Sequence, residues 1–245
     1  MALRCRTMIT LSLAPATLPP GQRIYAIGDV HGCDDRLAVL HRLIAADLAA
    51  RPAAEPLLLH LGDYIDRGEA SAAVLARLLQ GPPVPGLRGI NLMGNHEAML
   101  LEALDTGSAD AALQWLANGG ADTLASWGLS RRTRPRDWRR VIPPEHIALL
   151  RGLPLRHVAG GYAFVHAGLR PGVPLERQSR HDMLWIREPF LSWRGESALV
   201  VVHGHTPEHD VAVRPNRIGI DTGAVMGGVL TCVVLEGDRM GFLRA

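Results

Sequence analysis

Three short blocks of Asp, His and Asn lie in the first hundred residues: Gly28-Asp29-Val30-His31-Gly32, Gly62-Asp63-Tyr64-Ile65-Asp66-Arg67-Gly68 and Gly94-Asn95-His96-Glu97. Two later segments add histidines, Phe164-Val165-His166-Ala167-Gly168 and Val202-His203-Gly204-His205-Thr206. Together they could hold two divalent cations. A pair of ions roughly 3.5–4 Å apart can clamp the attacking and leaving oxygens of an in-line displacement at phosphorus, while a bridging water loses its proton near neutral pH. Such a site needs one carboxylate within reach of both ions. Asp63 suits that bridge, because it follows the middle one of the first three strand-like runs. Asp29 and His31 are separated by one residue, so on an extended segment they share a side and can grip one ion. Asn95, His166 and one of His203 and His205 are left for the other. Those last two histidines share a face on a period-two strand, and spacing does not choose between them. Two aspartates against two dications leave a centre positive enough to attract a phosphate dianion. The mixed nitrogen and oxygen donors suit manganese, iron or zinc better than magnesium or calcium.

His96 follows a candidate ligand directly and so points elsewhere, which makes it a candidate general acid for a departing alkoxide. An alkoxide is a poor leaving group, so proton delivery matters. Asp66 could orient the His96 ring and favour its protonated form, and Arg67 offers a bidentate fork for phosphate oxygens.

Each of the first three blocks follows an apolar, strand-like run (Ile24 to Ile27, Leu57 to Leu61, Ile90 to Met93), and so falls where a strand ends and a helix begins. In open α/β sheets that edge is where ligands bind. Leu37, Leu40, Ile44 and Leu48 recur at helical spacing, as do Val74, Leu75, Leu78 and Leu79, which predicts βαβ units with parallel strands. The strand pattern stops at about residue 105 and resumes after Pro154, leaving a small helical insertion over about 105–153. Short strands are expected at 155–159, 161–165, 199–203, 211–213, 217–220, 228–235 and 239–243. The expected fold is therefore α/β, with two packed sheets, the first mostly parallel and the second mixed or antiparallel. Residues 1–20 read as a loose tail and 21–245 as one domain.

Composition excludes several classes of protein. The chain has 245 residues, of which 47% are hydrophobic and 20% charged, with a formal net charge of +2. That is too balanced for a disordered chain or for a nucleic-acid-binding surface. No stretch is long enough to span a membrane. Every basic residue is Arg. Cys5, Cys33 and Cys232 are odd in number and widely spaced, which fits a reduced, cytoplasmic setting; Cys33 reads as a small thiol in a first helical turn. The run Arg131, Arg132, Arg134, Arg136, Arg139 and Arg140 reads as a solvated face, with a docking surface for acidic substrates as the sharper alternative. Trp115, Trp127 and Trp138 read as packing residues of the insertion. His41, His60, His146, His157, His181 and His209 have no motif around them and read as structural or exposed.

The five motifs, in this order, resemble the phosphoprotein phosphatase family of binuclear metallophosphoesterases, in its short bacterial and phage branch. The resemblance runs from about Arg23 to the end of the chain. It implies a calcineurin-like sandwich of two mixed β-sheets flanked by helices, and metal ligation by Asp29, His31, Asp63, Asn95, His166 and His205, leaving His203 outside the ligand set. It also implies catalytic roles for His96, Asp66 and Arg67. In Leu184-Trp185-Ile186-Arg187 it makes Arg187 a second phosphate fork, and it sets Ile220-Asp221-Thr222-Gly223-Ala224 beside the metals. The activity expected is that of a serine/threonine protein phosphatase with two divalent ions, manganese first, acting on a phosphorylated protein or a small phosphate ester. A dinucleoside polyphosphate hydrolase of the same metal architecture is the alternative, and a noncatalytic phosphate-sensing module a more distant one.

Overall fold

The computed structural model describes residues 9–245; Cys5 and the two tail arginines before Thr7 lie outside the described residues. The first half runs β1 (Ser12–Leu13), β2 (Gln22–Ile27), α1 (Asp34–Ala50), β3 (Glu55–His60), α2 (Ser71–Gln80), β4 (Arg88–Asn91) and α3 (Asn95–Thr106). The insertion then follows as α4 (Ala109–Trp115), a π-helical turn (Leu116–Gly120), α5 (Ala121–Ser126), α6 (Pro135–Trp138) and α7 (Pro144–Arg151). The second half holds β5 (Arg156–Ala159), β6 (Tyr162–Val165), α8 (Arg180–Trp185), β7 (Val200–His203), β8 (Ala212–Val213), β9 (Arg217–Gly219), β10 (Thr231–Glu236) and β11 (Arg239–Arg244).

Two mixed sheets result, in the strand orders β1-β11-β10-β2-β3-β4 and β5-β6-β7-β9-β8. Alternation along the strands sorts side chains to the two faces of each sheet. Ile24 and Ala26 of β2, Leu57 and Leu59 of β3, and Val233 and Leu235 of β10 meet Tyr162, Phe164, Val202 and Ile218 of the second sheet in a core between the sheets. Tyr25, Ile27 and Leu58 face the other way, onto Leu37, Leu40 and Ile44 of α1 and Val74, Leu75 and Leu78 of α2. Leu79, expected on that apolar face, is instead exposed. Trp115 and Trp138 of the insertion stack edge to face, with centroids 5.1 Å apart, in the same helix-covered core. On the far side of the second sheet, Val165 and Val201 pack on Met183, Ile186 and Phe190.

Two expectations are corrected. The first sheet is not mostly parallel: β2, β3 and β4 are parallel, but β10 joins β2 antiparallel and β11 follows through a two-residue Gly237-Asp238 turn. A hairpin that short forces antiparallel pairing, and Val233 and Leu235 gain a buried face by joining β2. The described part of the expected tail is ordered against the body. Ser12 and Leu13 pair with Met240 and Arg239, Leu18 is buried, and the Tyr162 hydroxyl donates to the Ala16 carbonyl at 2.6 Å. The open edge of β11 offers unpaired backbone groups that this segment satisfies. No helix among the described residues is long and apolar enough to cross a membrane.

His41 of α1 and His60 of β3 are both buried, with their Nε2 atoms 3.4 Å apart, and His60 Nδ1 lies 2.8 Å from Asn91 Oδ1. Burial, reinforced by Arg77, lowers His41 to about 4; burial, reinforced by His41, lowers His60 to about 3. Both rings therefore stay neutral in the folded chain, while the unfolded chain takes up protons below about pH 6.5. Their contribution is fully present above about pH 6.5 and is lost as pH falls towards the folded-state values. Thermal melts between pH 7 and pH 5, at equal metal loading, should show a smaller fall in Tm for the His41→Gln/His60→Gln double variant than for wild type. An equal fall would contradict this reading of the pair.

Candidate metal centre

Both sheets deliver their polar residues to one edge. Asp29 and His31 follow β2, Asp63 follows β3, Asn95 opens α3, His166 follows β6 and His205 follows β7. Five non-glycine residues among those described have a left-handed backbone: His31, Asp63, Asp66, Arg67 and His205. All five are candidate site residues. Conformations of this kind cost on the order of 1–3 kcal/mol each and persist only where the surroundings over-determine them. Here the Asp63 carbonyl accepts from Val30 N and His31 N, and the Tyr64 carbonyl from Gly32 N. From the other side, the Glu97 carboxylate accepts the backbone N–H groups of Asp63 (2.9 Å), Tyr64 (2.8 Å), Ile65 (3.3 Å) and Gly94 (2.9 Å). Gly94 is required at its position, since a Cβ there would collide with Asp63 Oδ1 and Asp63 N.

Asp63 Oδ2 lies 3.5 Å from His31 Nε2, 3.4 Å from His166 Nε2 and 3.9 Å from His96 Nε2. Asn95 Oδ1 sits 2.8 Å from His166 Nε2 and 3.0 Å from His205 Nδ1. The potential donors form two groups, His31 with Asp63 and His96, and Asp63 with His166 and His205, so Asp63 belongs to both. His203 joins neither group. Its ring packs on Phe190 and lies 3.3 Å from Arg217 Nη1, which leaves His205 as the site histidine. Asp29 accepts a hydrogen bond from His205 N at 3.0 Å and has Asp221 nearby. His31 has a left-handed backbone, and its Nε2 faces Asp63 Oδ2 at 3.5 Å. Half-buried Cys33 belongs to neither group.

His96 Nδ1 is 2.7 Å from Asp66 Oδ2, and His96 Nε2 is buried without a hydrogen-bond partner. Burial opposes charge on this ring, but Asp63 and Asp66 outweigh it and raise its pKa. Arg67 forms no ion pair with Asp63 or Asp66; its Nη1 lies 2.8 Å from His31 Nε2. Exposed Arg187 lines a cleft with His205, Trp185, Asn118 and Arg170. Arg170 is engaged by Asp182 at 3.0 and 2.6 Å, which leaves Arg187 as the freer guanidinium of that cleft. The basic run is partly neutralised, with Arg134 and Arg140 on Asp137 and Arg139 on Asp105. Sequence reasoning missed the Glu97 clasp and the contacts of Trp115 and Thr123 with Asp66. The Gly-x-x-Glu spacing of a helix start carried a trace of the first; nothing local signals the others.

A family described as calcineurin-like phosphoesterase matches residues 22–226. The chain belongs to the calcineurin-like phosphoesterases. It is 31% identical to serine/threonine-protein phosphatase 1 of Salmonella typhimurium, over 88% of this chain and 93% of that one. It is 34% identical to a symmetrical bis(5'-nucleosyl)-tetraphosphatase of Dechloromonas aromatica, over 89% and 94%. The crystal structure of a candidate diadenosine tetraphosphatase shares the fold, with a TM-score of 0.66 at 24% identity, covering 94% of this chain and 98% of that one.

Phosphoesterases of this family depend on two metal ions, and the donor set here fits such a pair. The Ile65 and Leu61 carbonyls can only accept, so they hold Nδ1–H of His31 (2.8 Å) and His166 (3.0 Å) and direct each Nε2 at Asp63. Burial lowers His31 to about 4 and, with His166, lowers His205 to about 3, which leaves both rings in the neutral, ligating form. Burial works against charge on Asp63, yet His166, His96 and His31 hold it well below the carboxylate range. Burial likewise opposes charge on His166, but Asp63 lifts that ring to about 9; the same attraction would hold a cation. Burial and the facing Asp221 push Asp29 up, a repulsion that a nearby cation would relieve. Asp63→Asn is expected to lose most bound metal and most turnover while keeping a cooperative melt, since the core lies in other residues. Two retained ions, counted by plasma mass spectrometry, would remove Asp63 from the bridging position.

Proposed function

We propose that this phosphoesterase is a metal-dependent phosphomonoester hydrolase of the serine/threonine protein phosphatase type. In this reading Asp29, His31, Asp63, Asn95, His166 and His205 hold two divalent ions, manganese first and iron or zinc as alternatives. Bound there, the ions would supply charge to the phosphoryl oxygens and a water acidic enough to attack phosphorus near neutral pH.

The chain's own residues do the remaining work. Arg67 and Arg187 orient the phosphoryl group through bidentate contacts and oppose the charge that builds on its oxygens. Asp66 holds His96 Nδ1–H, so the ring's free Nε2 can carry the proton that the departing oxygen takes. That buried, unpartnered Nε2 is the observation that carries the reading. A general acid serves an alkyl ester most, because an alkoxide leaves poorly, whereas a phosphoanhydride already releases a stable phosphate. The second reading, hydrolysis of a dinucleoside polyphosphate, is supported by the Dechloromonas aromatica relative, which aligns over nearly the whole chain. A cytoplasmic place, with phosphoprotein or small phosphate-ester substrates, goes with the first.

Initial rates on a phosphoserine peptide, a phosphotyrosine peptide and diadenosine tetraphosphate, with one metal-loaded preparation, test the choice. The phosphoserine peptide should show the highest kcat/KM. A preference for the dinucleotide, with symmetrical products, would replace the first reading with the second.

A further inference from the structure

Three residues of the helical insertion, spaced four apart, hydrogen-bond the Asp66-Arg67 turn. Trp115 Nε1 donates to Asp66 Oδ2 at 2.8 Å, and the Thr123 hydroxyl donates to Asp66 Oδ1 at 2.6 Å. Between them, the Gly119 carbonyl accepts from Arg67 N at 3.2 Å. The three residues come from α4, the π-helical turn and α5, and the kink at Gly119, φ 102°, lets the two short helices flank the Asp66-Arg67 turn. A Cβ at Gly119 would stand 2.7 Å from Arg67 N and 2.8 Å from Arg67 Cγ, so the approach is as close as backbone allows. Asp66 is fully buried, and its own N–H donates to Thr123 Oγ1 (2.7 Å) and Ser71 Oγ (3.1 Å).

We propose that Trp115 and Thr123 are positioning residues for the general acid, which makes the insertion part of the catalytic apparatus as well as a packing element. The proposal rests on the reading of His96 as that acid. A carboxylate that binds one imidazole and nothing else can turn about its Cβ–Cγ bond and carry the ring with it. Asp66 cannot turn, because Oδ1 is tied to Thr123 while Oδ2 is shared by Trp115 and His96. Fixing Asp66 fixes His96 Nδ1–H, and with it the aim of the unpartnered Nε2. A fully buried indole N–H needs an acceptor in any case; the acceptor here is the same carboxylate oxygen that faces His96 Nδ1, which couples the indole to the aim of that ring.

The test uses metal-loaded enzyme, with phenyl phosphate and para-nitrophenyl phosphate as substrates, so it does not depend on which physiological substrate is correct. Trp115→Phe keeps the aromatic packing, Thr123→Val keeps the shape, and Thr123→Ser keeps the hydroxyl. Each of the first two should lower kcat on phenyl phosphate by about 10- to 100-fold, the equivalent of one hydrogen bond to a charged group. KM and metal content should hold steady, the loss on para-nitrophenyl phosphate should be smaller, and Thr123→Ser should stay near wild type. Placed on a His96→Asn background, neither substitution should lower kcat further. Equal losses on both substrates, a fall in metal content, or a further loss on that background would reduce the two residues to structural support and overturn the proposal. If Thr123→Val does not fold, the same comparisons with Trp115→Phe decide. A His96→Asn variant with equal losses on both substrates would instead refute the acid reading itself, and this proposal with it.

Discussion

A single carboxylate, that of Asp63, sits buried within 3.4–3.9 Å of three imidazole nitrogens, and the rest of the site is organised around holding that charge away from water. An isolated carboxylate in such a place is costly, so its neighbours must be paired or aimed. Two polar positions sit on strand ends of the second sheet and four on the first half of the chain, so the packing of the two sheets and the assembly of the centre are one event. The left-handed turns at His31, Asp63, Asp66, Arg67 and His205 follow from the same demand, since short polar side chains on three loops must converge on one point. Glu97 offsets that strain by gathering four backbone N–H groups from the loops it clasps.

This arrangement separates two jobs across the carboxylate. His166, His205 and Asn95 lie on one side, where neutral or proton-sharing nitrogens and an amide oxygen converge. On the other, His96 turns one nitrogen to Asp66 and leaves the second free. Asp63 and Asp66 favour the protonated form of His96 over the cost of burial, which is what the proposed role as general acid requires. The cleft past Trp185, with Arg187 on its wall, is where substrate beyond the phosphate would lie, and where an ester and a polyphosphate would be told apart.

Much of this was legible in the sequence, for physical reasons. Gly-flanked polar blocks after apolar runs mark strand ends, and β2, β3, β6 and β7 each end within three residues of a candidate ligand. Contacts between distant segments were not legible. Nothing near Asp66 announces that Trp115 and Thr123 will bind its carboxylate, because such a pairing is set only when the insertion folds over the turn. β10 is buried on both faces along nearly its whole length, a pattern that suits a central position in either sheet, so its place beside β2 could not be read from the sequence.

The central claim is that Asp63 is shared by two cations. The most direct measurement is anomalous diffraction at the manganese edge from crystals grown with that ion. The account predicts two peaks about 3.5–4 Å apart, one on either side of the Asp63 carboxylate, with His31 facing one and His166 and His205 the other. A single peak, or two peaks with Asp63 touching only one of them, would contradict it.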